Sequence, residues 1–176
     1  MKTIKIILIV LAVAVAGVLA FAATKPDSFG VQRSTSIEAP PEKIAAVLSD
    51  FRAWDAWSPW EKMDPKMKRT YSGEPKGKGA KYAWAGNSEV GEGSMTITEA
   101  QASRVALDLD FVKPWEGHNK VVFTLAPKGD ATEVTWAMNG PSPYVTKVIQ
   151  VFCDMNGMIG KEFEKGLADL KTLTEK

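Results

Sequence analysis

The chain has 176 residues, a formal charge of +1, a single histidine and a single cysteine. That length suits one domain with one sizeable core. The near balance of charge leaves no basic footprint for nucleic acid, and a lone cysteine excludes an internal disulfide.

Lys2 and Lys5 precede an uncharged run of Ile, Leu, Val and Ala with one Phe and one Gly, from Ile6 to Ala23. At 1.5 Å per residue an eighteen-residue helix spans about 27 Å, just enough for a bilayer core. As an anchor it would hold the N-terminus on the cytoplasmic side and export everything after it as a single-pass membrane protein. Ala20-Phe21-Ala22 also fits a small-x-small cleavage site, so secretion after cleavage near Ala22 is the competing reading. The division that follows is an anchor or signal over 1–23, a tether over 24–30 and a domain over 31–176.

Val31 to Ile37 has strand character. Pro41 suits a first helical position, and Ile44, Val47, Leu48 and Phe51 mark one face of a short helix. A second short helical segment, Arg52 to Pro59, carries Trp54 and Trp57, and Pro59 is expected to end it. Six strands follow, at Lys68–Ser72, Ala80–Ala85, Gly93–Glu99, Arg104–Val112, Lys120–Ala126 and Thr132–Asn139. The last three alternate most clearly: Val105, Leu107, Leu109 and Phe111, then Val121, Phe123 and Leu125, then Val134, Trp136 and Met138 share one face. Period two with polar residues opposite indicates an antiparallel sheet wet on one side, and the short connections imply hairpins.

Pro143 to Thr174 reads as one long amphipathic helix, with Phe152, Met155, Ile159, Phe163, Leu167 and Leu170 in its apolar stripe and Lys147, Lys161, Glu164 and Lys171 outside it. Cys153 is expected to be buried in that stripe. Gly157, Gly160 and Gly166 each cost a helix interior about 1 kcal/mol, so they call for close packing, a bend, or space beside the helix. The stripe can be ordinary core. It can equally be the lid over a curved sheet that one helix cannot fill, leaving a hollow for an apolar ligand.

The order of elements, the segment Ser36-Ile37-Glu38-Ala39-Pro40-Pro41-Glu42-Lys43-Ile44, the run Asp50-Phe51-Arg52-Ala53-Trp54-Asp55-Ala56-Trp57-Ser58-Pro59-Trp60, and Gly77-Lys78-Gly79-Ala80-Lys81-Tyr82-Ala83-Trp84-Ala85-Gly86-Asn87 resemble the polyketide cyclase/dehydrase branch of the START-like, Bet v 1-like (SRPBCC) superfamily. The resemblance covers Val31 to about Leu173. It implies an α+β helix-grip fold: a curved seven-stranded antiparallel sheet wrapped around a long C-terminal helix, with two short helices after the first strand. It carries no catalytic set, because the superfamily shares a cavity and not a chemistry.

The ligand-lining candidates are Tyr82, Trp84, Met95, Leu107, Phe123, Trp136, Met138, Phe152, Met155 and Ile159, with Glu61 and His118 as candidate polar contacts. Asn87, Glu89 and Asn119 are further polar candidates. Glu61 can lie against Trp60 with a raised pKa, or be a solvated surface glutamate; His118 reads as an exposed loop residue. No catalytic motif occurs, and neither spacing nor motif brings His118, Cys153 and carboxylates together as a metal site. No cofactor is implied. The leading expectation is a carrier or binder of a hydrophobic or amphipathic small molecule such as a lipid, touching the membrane through its N-terminal segment. The alternatives are a cyclase-like enzyme using the same cavity, and an envelope interaction domain whose cavity has collapsed.

Overall fold

A computed structural model describes residues 2–176, beginning with helix α1 over Lys2–Ala23. Strand β1 (Ser28–Ile37) follows after four residues, so three of the seven residues expected as a tether, 28–30, are strand. The reason is pairing: Ser28, Phe29 and Gly30 continue the β1–β7 ladder opposite Pro141, Gly140 and Asn139. Helix α2 (Pro41–Leu48) opens on a proline whose missing N–H is not needed there. A 3₁₀ turn, Phe51–Ala56, comes next, capped by the Asp50 carboxylate accepting from the Arg52 N–H. Pro59 does not end this segment; it opens a further short helix, α3 (Pro59–Met63), at the position where proline fits best.

The six later strands are β2 (Lys68–Gly73), β3 (Ala80–Ala85), β4 (Glu92–Gln101), β5 (Arg104–Lys113), β6 (Gly117–Lys128) and β7 (Ala131–Pro141). All pair antiparallel in one seven-stranded sheet of order β1-β7-β6-β5-β4-β3-β2. Rows of inward side chains cross it. Val105, Phe123 and Trp136 are direct neighbours on β5, β6 and β7, as are Leu107, Val121 and Met138, and all six are buried. Register shifts at Glu92/Gly93 and Ile97/Glu99 bend β4, the usual way a sheet acquires curvature.

The C-terminal segment is two helices, not one: α4 (Tyr144–Phe152) and α5 (Met155–Thr174). The break has a local cause. Asp154 leaves the helical conformation and its carboxylate accepts the Gly157 N–H at 2.9 Å, capping α5. α5 lies over the sheet and buries Phe163, Gly166, Leu167 and Leu170. α4 turns away and packs against α1 instead. Two expectations fall with the break: Cys153 is exposed at the joint, and Lys147 is buried, ion-paired to Asp27.

The closed end of the fold is aromatic. Trp57 is fully buried and meets Trp54, Phe123 and Trp136 edge-on or tilted, with ring centroids 4.8 to 6.1 Å apart. Phe163 of α5 stacks on Trp136 at 4.1 Å, and Gly166 makes that contact attainable: a Cβ there would stand 2.8 Å from the indole and 3.0 Å from Pro59. Close packing is therefore what this helix glycine is for.

Candidate functional site

Beside this aromatic end, between α5 and the strands, lies a cavity of about 800 Å³. Ligand sites typically measure ~300 to 1,000 Å³, so the collapsed-cavity alternative does not hold. Trp84, Met95, Leu107, Leu109, Phe111 and Met138 form the sheet wall, and Met155, Ile159 and Phe163 the helix wall. The β5–β6 loop, Pro114 to Glu116, and the segment Pro141–Pro143 border the open end.

Of the residues expected to line a ligand site, Tyr82, Trp84, Met95, Leu107, Trp136, Met138, Met155 and Ile159 border this cavity. Two do not. Phe123 is wholly buried among Trp54, Trp57 and Trp136, below the cavity floor. Phe152 is 71% exposed at the end of α4, because the helix break carries it off the sheet.

Glu61 is not a solvated surface residue. It is 9% exposed and faces the cavity, where α3 places it beside β2 and β3. Its Oε1 accepts from Tyr82 Oη at 2.5 Å and its Oε2 accepts from Arg69 Nε at 2.6 Å. Burial first, then the bond to Glu61, pushes the Tyr82 pKa well up, so this phenol stays protonated and donates. The bond to Glu61 likewise holds the Arg69 guanidinium charged. A carboxylate has about four lone-pair positions, so a pair so engaged can still accept from a ligand hydroxyl or amine.

A second polar pole lies across the sheet. Tyr82, Met95, Leu109 and Asn119 are successive register partners on β3, β4, β5 and β6, so at ~4.8 Å per strand Asn119 stands about 14 Å from Tyr82. Asn119 is inward by the same alternation as Val121 and Phe123, is 9% exposed and borders the cavity, and its side chain makes no hydrogen bond to another side chain among the described residues. Gly140 makes its room: a Cβ there would sit 1.9 Å from the Asn119 Oδ1. Ser142 adds to the same wall a buried hydroxyl without a partner among the described residues, and Trp136 a buried indole N–H likewise unpaired among them.

His118 sits at the rim on β6, its side chain 78% exposed and its Nδ1 bonded to Asp110 at 2.7 Å. That bond raises its pKa above the ordinary histidine value. Asn87 spends its carbonyl on the turn, accepting from the Glu89 N–H, and Glu89 is an exposed rim residue. Among the described residues no cluster of three metal-ligating side chains occurs. The alternation that exposes Val121 and Phe123 to the inside was the available signal for Asn119. Nothing short of the fold could bring Glu61 to Tyr82.

A curved antiparallel sheet closed by a C-terminal helix over one apolar cavity defines a helix-grip, hydrophobic-ligand-binding fold. The profile of the family described as polyketide cyclase / dehydrase and lipid transport matches residues 28–175, and the chain belongs to that family. None of the curated proteins matches it by sequence. Among solved structures it is similar to norcoclaurine synthase from Thalictrum flavum in complex with dopamine and hydroxybenzaldehyde, at 9% identity and a TM-score of 0.61, over 88% of this chain and 90% of that one. The Aha1 dimer from Colwellia psychrerythraea gives 18% identity and 0.60 over 84% and 96%. Protein CV1439 from Chromobacterium violaceum gives 17% and 0.58 over 86% and 99%. At these identities the likeness is one of fold.

Proposed function

We propose that the protein binds a hydrophobic or amphipathic small molecule, a lipid with a single acyl chain in the first instance, between the sheet and α5. The observation that carries this is the cavity itself: about 800 Å³, apolar in its walls, with the buried Ser142 hydroxyl unpaired among the described residues and Asn119 on the same lining. The acyl chain lies along Trp84, Met95, Leu107 and Ile159. A carbonyl or carboxyl accepts from Asn119, and a hydroxyl, where the ligand has one, donates to Glu61.

Each methylene buried contributes about 0.8 kcal/mol, or roughly fourfold in affinity. Full-length protein titrated with fatty acids of increasing length is therefore expected to bind more tightly by that step until the cavity is full. Bromine-labelled fatty acids should quench tryptophan emission as they bind, through Trp84 and Trp136. A flat chain-length series with no quenching would refute the proposal.

The helix α1 is long and apolar enough to cross a membrane, and we read it as a retained anchor holding the domain on the extracytoplasmic side. Its packing supports retention. Ala22 is fully buried, and Tyr144 Oη donates to the Leu19 carbonyl at 2.7 Å, so cleavage after Ala22 would strip a covered face of α4. A second reading, a cyclase-like enzyme, rests on Glu61 and Tyr82 facing the same cavity. Glu61→Gln separates the two: a binder loses affinity for hydroxylated ligands, whereas an enzyme loses turnover of a reactive polyketone while still binding it.

A further inference from the structure

Outside α1, the large apolar side chains that stand exposed among the described residues are Val112, Trp115, Tyr144, Val145, Phe152 and Met158. Single exposed apolar residues scattered over a surface need no explanation. These are not scattered. They fall in two segments, the end of β5 with its loop and the α4–α5 region, and both segments border the mouth of the cavity through Pro114, Trp115, Pro143 and Met155. The opposite end of the sheet, at the turns near Ser103 and Gly129, carries none.

The same rim touches α1. Tyr144 bonds to Leu19, Lys147 to Asp27, and α4 packs along the last turns of α1. A bilayer crossed by α1 therefore begins where α4 begins. Val145 and Phe152, two turns apart, lie on one face of α4, while Lys147 on another is buried against Asp27. A short helix with an apolar outer face, flanked by exposed Trp and Tyr rings, is the pattern of an element lying in the membrane interface.

We infer that the cavity rim is a membrane-docking surface: Trp115, Tyr144, Val145, Phe152 and Met158 sink into the leaflet beside α1, so the mouth opens onto hydrocarbon and an acyl chain enters without crossing water. The inference rests on the anchor and the lipid ligand proposed above. The occupant of the patch is a lipid surface because the patch is continuous with the bilayer-length helix; a second copy of this chain or a protein partner would cover it without such continuity.

Spin labels in the full chain, reconstituted in phosphatidylcholine–phosphatidylglycerol vesicles, test it. In a Cys153→Ser background, nitroxides are placed through Val145→Cys, Phe152→Cys, Val10→Cys and Ser103→Cys, and collision with oxygen and with a water-soluble nickel chelate is measured. The expected result is that the labels at 145 and 152 collide with oxygen and not nickel, as at 10, while the label at 103 collides with nickel. Nickel access at 145 and 152 with oxygen access at 10 overturns docking and leaves the anchor standing. Protection from both reagents at 145 and 152 means a protein surface or a second copy covers the rim, and also overturns it. Nickel access at 10 removes the anchor, and the docking with it.

A second measurement does not depend on labels. Val145→Ser combined with Phe152→Ser is expected to slow transfer of a fluorescent fatty acid from vesicles into the cavity several-fold, with unchanged affinity for the same fatty acid added from solution. Equal transfer rates would overturn the inference. Wild-type protein that binds no fatty acid at all would defeat the ligand proposal separately, with the label pattern still deciding the docking.

Discussion

Glu61, Arg69 and Tyr82 put a paired charge in the wall of an oily cavity, and its energetics separate a structural role from a ligand-reading one. Glu61→Leu alone leaves the Arg69 cation and the Tyr82 hydroxyl facing apolar surface. Breaking a buried pair typically costs ~3–5 kcal/mol. The Arg69 side chain is 24% exposed against 7% for the Glu61 side chain, so solvent screens part of the loss and we expect about 2–3 kcal/mol. Replacing all three, with Glu61→Leu, Arg69→Met and Tyr82→Phe, removes the desolvation cost together with the pairing, and such swaps are commonly neutral or stabilising by about 1–4 kcal/mol. Urea unfolding followed by tryptophan emission, in a mild detergent, measures both. The triple variant should nevertheless bind a fatty alcohol roughly 10- to 100-fold more weakly, the value of one charge-assisted hydrogen bond of about 1.5–3 kcal/mol, as read by displacement of a fluorescent fatty-acid probe. Two results would refute the reasoning: a triple variant several kcal/mol less stable than the wild type, which makes the cluster a structural brace, or one with undiminished fatty-alcohol affinity, which makes it irrelevant to the ligand.

Two glycines of α5 should part company on substitution by alanine. At Gly166 the new Cβ meets the stacked Trp136 ring and Pro59, neither free to move, so overpacking of about 1–3 kcal/mol outweighs the ~1 kcal/mol of helix propensity gained, and the urea midpoint falls. At Gly160 the three nearest atoms to the new Cβ all belong to the Arg33 guanidinium, the far end of a flexible side chain whose bonds to Glu164, Asn156 and the Gln32 carbonyl lie at the exposed surface and whose ion pair is worth at most about 1 kcal/mol, so the same measurement shows a smaller change than at Gly166. His118 should titrate by NMR above the ordinary histidine value of 6.5, and Asp110→Asn should bring it back down. Because the folded-state pKa is the higher one, whatever stability this pair adds is complete below the unfolded-state pKa and disappears as pH rises through the folded-state value. Intact-mass measurement of protein recovered from membranes should find residues 1–23 present; a mature N-terminus at Ala23 would make the run a cleaved signal.

Much of the sheet was legible because burial on one face writes period two into the strands, and Val105, Phe123 and Trp136 could be assigned inward without any neighbour being known. The helix break is legible only in a weak local signal. Asp154, three residues before Gly157, has the spacing of a cap, but the apolar stripe on either side of it carried the reading of a single helix through. That error moved Phe152 into the site and Cys153 into the core, where neither belongs. Pro59 opens α3 where the sequence suggests a stop for a related reason: proline both stops one helix and starts another, and only the chain's path decides which.

The amino-acid sequence alone determined the class of fold, the inward faces of the strands and the presence of a bilayer-length apolar run, because each is a periodic or compositional property that local physics imposes. The tertiary structure alone decided that Glu61 is drawn out of water, that Asn119 sits over Gly140 on the cavity wall, and that α4 leaves the sheet for α1. Those three depend on which residues distant in the chain meet across β2, β3, β6, β7 and α1. A side chain's solvation, and with it its chemistry, is a property of that meeting and not of its neighbours in sequence.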